Sequence, residues 1–317
     1  LMYYKGMGVP KDDTEAVKWF SKAAEQGDAE GQRFLATMYY LGSGVSVDYV
    51  AAYMWCNLAL TQGEEHAKIG IGEISAEMLR DLYVSFVILG HRGSPKEYLE
   101  NTMPSFSCAL DKPNWQGIEL DVQLSKDNKI IIFHDENLNR LANINLNISD
   151  LDYEAINKIR LTENNMIPLL SDLLKNYPQN KIINIEIKKY STSNKGIEKK
   201  IIYLIKKYNL YDSCIISSFY PQIIKKIKTL DSKVTTALLW TRINFFSKLI
   251  LSLNLWWSKP DGFHPNINFI DKNIIKMVKS KKMFCIAYTV DRTVDLEKVY
   301  ELNLNGIVTN NHNLKIK

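Results

Sequence analysis

Seven residues between positions 91 and 188 have the types and spacing to do chemistry: His91-Arg92, Glu119, Asp121, His134, Glu186 and Lys188. In GIELDVQL (117–124) the two carboxylates are two apart, so a strand puts both on one face and Ile118, Leu120 and Val122 on the other. Glu186 and Lys188 stand in the same relation in INIEIKK. Three carboxylates without cysteine or paired histidine ligands suit one hard divalent cation, Mg2+ or Ca2+. Two histidines suit proton transfer near neutral pH. Arg92 and Lys188 suit an anionic group on which charge develops. Together they read as metal-assisted hydrolysis of a phosphate ester.

The elements that must position these residues are short β-branched runs separated by helical stretches. Strands are predicted at Tyr83–Leu89, Gly117–Leu124, Ile130–Phe133, Lys181–Ile187, Cys214–Ser218, Val234–Trp240, Asp261–His264, Met283–Val290 and Gly306–Thr309. Helices are predicted between them, for example at Ile197–Tyr208 and Pro221–Leu230. This alternation argues for a parallel sheet wrapped by helices, and its length for a (β/α)8 barrel. Nearly every strand ends in polar residues, among them His134-Asp135, Ser217-Ser218, Thr241, His264, Asp291 and Thr309-Asn310. A barrel active site at the strand C-termini leaves that pattern. Nine strands exceed eight places. A tight turn at Lys126-Asp127-Asn128 resolves this by pairing the second and third strands as a hairpin, which brings His134 beside both carboxylates of the second.

Composition splits the chain. Residues 1–90 hold 10 of the 15 glycines, with 7 basic against 12 acidic residues, a balance of −5. Residues 91–317 hold 33 basic against 23 acidic residues, a balance of +10. The acidic part repeats itself at a shift of 36 residues: Met2-Tyr3-Tyr4 on Met38-Tyr39-Tyr40, Gly6 and Gly8 on Gly42 and Gly44, Trp19 on Trp55, Gln26-Gly27 on Gln62-Gly63. Such a period signals stacked helix–turn–helix units. Asp12, Asp13 and Thr14 are N-cap candidates, Gly27 and Gly42 are helix stops, and Trp19 and Trp55 are expected to pack the repeat core.

YYKGMGVPKDDTEAVKWFSKAAEQGDAEGQ and YYLGSGVSVDYVAAYMWCNLALTQG resemble Sel1-like repeats, relatives of tetratricopeptide repeats. The resemblance implies a scaffold for a protein partner over about residues 1–80, ahead of an enzyme over 81–317. LGHRGSPKEYLENTMPSFSCAL, GIELDVQLSKDNKIIIFHDENLNR, IPLLSDLL, INIEIKK, SSF, AYTVD and NGIVTN resemble the glycerophosphodiester phosphodiesterase family. That resemblance implies a distorted TIM barrel and hydrolysis of glycerophosphodiesters to glycerol 3-phosphate and an alcohol, with one divalent metal. By position it implies His91 and His134 as the acid/base pair and Glu119, Asp121 and Glu186 as metal ligands. It likewise implies Arg92 and Lys188 as phosphate contacts, with Glu100 and Asn101 in the pocket wall. Leu99, Tyr288, Asp291 and Asn305 depart from the family pattern, and all four are expected at the pocket rim or beyond the metal.

The remaining features have plainer readings. Cys56, Cys108, Cys214 and Cys285 are too scattered for a disulfide framework or a zinc site. Lysine pairs such as Lys199-Lys200 read as solvated helix faces, and no aromatic interleaving suggests nucleic acid. Ser217-Ser218 lack a nucleophile elbow. His264 reads as a strand-end residue, His66 and His312 as surface residues. The stretch with Phe245, Phe246, Trp256 and Trp257 reads as an outer barrel helix, with a lipid-touching lid as the other reading. Two alternative functions stay open: a lysophospholipase D-type enzyme acting on intact lipid, and a repeat adaptor with a silent barrel. Leu1 falls inside patterned sequence, so the expectation is a protein that begins upstream, with the cytoplasm as the default setting.

Overall fold

The computed structural model describes residues 2–67, 86–189, 196–241 and 247–314. Its contacts divide the chain into two units, Leu1–Tyr83 and Val84–Lys317.

In the first unit, helices α1 (Met2–Lys5), α2 (Asp13–Glu25), α3 (Ala29–Leu41) and α4 (Tyr49–Thr61) pack as successive antiparallel neighbours. Asp12, Asp28 and Asp48 each cap the helix that follows by accepting from the backbone N–H three residues on. Gly42 ends α3 at φ +67°, in the left-handed region. Phe20 stacks on Phe34 at 5.0 Å, and Ala16, Leu35 and Met38 fill in around them. Helices α3 and α4 are tied by Gln62 Nε2, just past the end of α4, donating to Gln32 Oε1 at 2.7 Å. Trp55 packs against this core, but Trp19 does not: it is 53% exposed, with the Lys22 ammonium 4.7 Å above its ring. The symmetry of the repeat thus places two tryptophans equivalently in sequence and unequally in solvent.

In the second unit nine strands form one sheet: β1 (Val87–His91), β2 (Gly117–Leu124), β3 (Ile130–Ile132), β4 (Ile182–Ile187), β5 (Cys214–Ser218), β6 (Thr235–Trp240), β7 (Gly262–Pro265), β8 (Phe284–Ala287) and β9 (Gly306–Thr309). Eight are parallel and close on themselves through β1 pairing with both β2 and β9. The ninth, β3, lies antiparallel on β2, with Val122 opposite Ile132. The hairpin turns through Asn128 at φ +62°. Strand β8 is shorter than its apolar run, which continues past Ala287 only as a bridge from Tyr288 to Asn266. The beginning of the predicted first strand, Tyr83, the boundary between the modules, and Phe245 and Phe246 lie outside the described residues.

The sheet is buried on both faces, which accounts for its near-continuous hydrophobic strands. Ile118, Leu120 and Val122, with Ile183, Ile185 and Ile187, point outward into the core shared with the helices. Inward-facing residues stack in layers. A barrel with shear eight climbs one residue per strand, so alternate strands contribute to each layer. From the registers, Leu89, Asn184, Ala237 and Ile286 form one layer, and Glu119, Ser217, His264 and Val308 the next. His91, Glu186, Leu239 and Tyr288 lie above these, nearest the C-terminal mouth.

Strand β2 lies close to β4 at its start. A Cβ on Gly117 would sit 1.8 Å from the carbonyl oxygen of Ile182, which is backbone and cannot yield. Gly117→Ala is therefore expected to cost about 3 kcal/mol or more by forcing β2 off β4. Urea unfolding should show a lower midpoint than wild type, and an unchanged midpoint would mean the strands separate freely.

Candidate active site

The chain turns sharply after β1. Arg92 adopts φ +55° and Gly93 φ +90°, and a side chain on Gly93 would collide with Ser105. The turn aims the Arg92 N–H at Glu119 Oε2, 3.0 Å away, and the Arg92 carbonyl at the Asn101 N–H, 2.9 Å away. Asn101, also left-handed at φ +56°, donates from Nδ2 to Asp121 Oδ2 at 2.9 Å. Glu100 accepts from Arg92 Nη1 at 2.9 Å and pairs with Arg140. Residues 91–92 and 100–101 are thereby fastened to β2.

At the mouth, Glu119, Asp121 and Glu186 are buried, with one carboxylate oxygen from each lying within 4.8 Å of the others. Asp121 is directly opposite Glu186 in the β2–β4 register. Lys188 Nζ lies 2.7 Å from Glu186 Oε1 and 3.2 Å from Asp121 Oδ1, and Arg92 Nε lies 3.3 Å from Asp121 Oδ2. Burial strongly opposes charge on all three carboxyls. Asp121 is nevertheless held below the usual carboxylate range because Lys188 and Arg92 flank it. Burial, then Asp121 and Glu186, push Glu119 well above that range. Burial pushes Glu186 up to about 7, against the pull of Lys188. Two cationic side chains do not balance three buried carboxylates. A divalent cation among them would, and an all-oxygen donor set is the kind hard cations take. The triad could hold such an ion.

Both histidines reach this site through anchored Nδ1 atoms. Asp291 accepts from the Asn310 backbone N–H and from Asn310 Nδ2, each at 2.7 Å. A carboxylate only accepts, so the Asn310 amide nitrogen faces Asp291 and its oxygen faces His91 Nδ1, 2.8 Å away. Neutral His91 therefore carries its proton on Nδ1 and its lone pair on Nε2, the nitrogen 4.0 Å from Glu119 Oε2. His134 Nδ1 lies 2.7 Å from Asp135 Oδ1, and Asp135 also accepts from Arg140 Nε at 2.6 Å. The same reasoning places the proton of neutral His134 on Nδ1. Burial lowers both histidines, with Arg92 adding to the effect at His91 and Lys188 and Arg92 at His134.

His134 arrives from the hairpin and not from a barrel strand. The Phe133 N–H donates to the Asp121 carbonyl at 3.0 Å, continuing the antiparallel register past β3. Gln123, buried on β2, donates from Nε2 to the carbonyls of Phe133 at 3.1 Å and Asp135 at 2.7 Å.

All nine residues expected from sequence gather at this mouth. His264 does not join them: it is fully buried in the barrel interior, its ring 5.9 Å from Phe284, and burial lowers it to about 3. Asn305 is not at the rim either. It sits at the opposite end of β9, where its Oδ1 accepts the Cys285 N–H at 2.8 Å. Asp291 lies behind His91, not beyond the metal position. Asp291, Asn310, Gln123 and Arg140 are the site residues that sequence reasoning missed. Asp291 and Asn310 stood out as polar strand ends, and Asp291 also as a departure from the family pattern; the signal for Gln123 is that it continues the alternation of Glu119 and Asp121.

Comparison with known proteins gives the family and the fold. The model of the glycerophosphoryl diester phosphodiesterase family matches residues 91–314, and the Sel1 repeat model matches residues 1–28 and 29–64. A glycerophosphodiester phosphodiesterase of Caldanaerobacter subterraneus subsp. tengcongensis is 30% identical over 231 residues, covering 70% of this chain and 93% of the relative. The crystal structure of the Thermotoga maritima glycerophosphodiester phosphodiesterase superposes with a TM-score of 0.60 at 26% identity, covering 71% of this chain and 94% of that one. An Oleispira antarctica phosphodiesterase, solved with its product sn-glycerol-3-phosphate, shares the fold at 21% identity and a TM-score of 0.62, covering 72% and 95%.

The Gln123 bridge can be tested separately from the chemistry. Gln123→Leu leaves the buried Phe133 carbonyl and the half-buried Asp135 carbonyl without their donor, at about 1–3 kcal/mol for the buried one. The variant should unfold at lower urea concentration and lose activity as His134 loosens, whereas wild-type stability would mean the bridge holds nothing.

Proposed function

The chain belongs to the glycerophosphoryl diester phosphodiesterase family, and from that premise we propose that its barrel mouth hydrolyses glycerophosphodiesters to glycerol 3-phosphate and an alcohol. The observation that carries the reading is the burial of Glu119, Asp121 and Glu186 together, bordered by Arg92, Lys188, His91 and His134. Those three carboxylates would hold one divalent cation, Mg2+ or Ca2+, which supplies Lewis acidity to a phosphoryl oxygen when bound.

The remaining work falls to the chain itself. The Arg92 guanidinium and Lys188 ammonium lie where they would offset charge on the non-bridging oxygens of a phosphodiester. Glu100 and Asn101 keep Arg92 and Asp121 in place. His91 Nε2 has the lone pair to accept the proton of the attacking oxygen. Its Nδ1–H meets an amide oxygen, so protonating it gains only what Asp291 contributes through Asn310. His134 meets the Asp135 carboxylate directly, which favours its doubly protonated ring, and in that form its Nε2–H is the proton it would hand to the leaving alkoxide while Nδ1–H stays on Asp135. The repeats of the first unit are read as the surface for a protein partner, and the adaptor reading fails to account for a complete reactive mouth.

Purified protein should release glycerol 3-phosphate from glycerophosphocholine, lose that activity in EDTA, and regain it with Mg2+ or Ca2+. Glu119→Ala should be inactive at any cation concentration. Wild-type turnover in EDTA, or in this variant, would sink the metal assignment.

The proton roles have their own test. His134→Ala should lose about 10^2–10^4-fold in kcat on a choline ester and recover most of it on an aryl ester, whose leaving group needs no acid. His91→Ala should stay slow on both. The opposite pattern would exchange the two roles.

A further inference from the structure

One barrel helix breaks a rule that three others keep. Helices Ile197–Lys207, Pro221–Leu230 and Lys272–Ser280 bury isoleucines on one side and carry lysines on the other. The helix Ser247–Ser258 is apolar on both sides. Leu251 and Leu255 are buried, while Leu249, Leu253 and Trp256, spaced i, i+4, i+7 on the opposite face, are 66%, 60% and 68% exposed. Trp257 beside them is 44% exposed. A helix that is apolar all round is ordinarily covered all round, so this face expects a partner.

The same helix borders the reaction site. A cavity of about 430 Å3 extends from Glu186 and Lys188 past Phe219 and Leu239 to Ile250 and Asn254 on the helix. Beyond Glu186, Lys188 and Lys189 its walls are chiefly apolar. They suit a hydrocarbon chain attached to a phosphodiester better than a second charged group.

Three observations decide what covers the exposed face. The face and the cavity share one helix, so whatever lies on the face lies at the entrance to the site. Adjacent indoles settle where water meets hydrocarbon. The balance of +10 over residues 91–317 favours an anionic surface. We propose that the helix Ser247–Ser258 seats on an anionic lipid surface, and that the groove beneath it receives the acyl chain of a monoacyl glycerophosphodiester whose phosphate lies at the three carboxylates. This rests on the activity proposed above and narrows its substrate class.

The test uses the full chain, vesicles of phosphatidylcholine and phosphatidylglycerol in equal parts, and the double variant Leu253→Ser/Trp256→Ser, neither residue of which lines the cavity. Wild type should float with the vesicles and turn over both lysophosphatidylcholine presented in them and water-soluble glycerophosphocholine. The variant should stay at the bottom of the gradient and lose about tenfold or more on the lysolipid, keeping glycerophosphocholine turnover within about twofold. A wild type that cleaves glycerophosphocholine, ignores the lysolipid and does not float would overturn the proposal and leave the activity standing. Equal loss on both substrates would overturn it as well, since the face would then be structural. So would a wild-type dimer that the variant dissolves in gel filtration, since a second copy would then be the cover. Failure on both substrates with either cation would instead sink the activity, and flotation alone would then decide the seating.

Discussion

Three carboxylates buried within 4.8 Å of one another are the constraint around which the barrel mouth is arranged. Alone, they would repel one another and lose hydration, and at least two would hold their protons. Each neighbouring feature lessens that penalty. Lys188 spans Asp121 and Glu186, Arg92 reaches Asp121, and the Arg92 N–H points at Glu119. Even so, Glu119 stays well above the usual range and Glu186 near 7. A divalent cation among the three carboxylates would take the place of those protons.

The strained turn after β1 follows from the same constraint. Placing a backbone N–H and a guanidinium on opposite sides of one carboxylate pair requires the chain to reverse within two residues, and Arg92 at φ +55° does so. Asn101, reversed in the same sense, fastens the far end of the loop to Asp121. Arg140 extends the arrangement outward by joining Glu100 to Asp135, so the loop after β1 and the segment after β3 are held by one guanidinium. His91 ends β1 just before the first of these segments, and the second carries His134.

The fold was legible because a parallel barrel writes itself into local pattern. Strands Gly117–Leu124, Cys214–Ser218 and Gly306–Thr309 have the bounds their β-branched runs suggest. The hairpin could be read from Lys126-Asp127-Asn128 and from a ninth strand with no place in an eight-fold ring. The charged residues of the site were legible for a related reason: a buried carboxylate or lysine in an apolar strand has few bland explanations. What escaped was what depends on non-local pairing. Asn310 meets Asp291 across 19 residues and His91 across 219, and no periodicity connects them. Asn305 looked like a mouth residue because it adjoins a conspicuous strand, but the end it occupies follows from strand direction. Trp19 shows the complementary failure, since repeat symmetry predicts equal burial only where both copies have the same neighbours.

The barrel interior beneath the site shows how far the polar character extends. Ser217 Oγ, Asn184 Oδ1 and both ring nitrogens of His264 are buried without a hydrogen-bond partner among the described residues. Ser217 and His264 share a layer with Glu119, and Asn184 lies in the layer below. An apolar core would have been more stable at these positions, since each unsatisfied group costs about 1–3 kcal/mol. The next layer outward holds His91 and Glu186, so polar groups line the barrel continuously from its interior to its mouth. Below them Phe284 packs against Gly262 and restores a dry core. The transition from hydrocarbon to polar groups thus takes place within two layers, and Glu119 sits at its boundary. Its position there, deeper than Asp121 and farther from Lys188, is why burial and repulsion raise it most among the three.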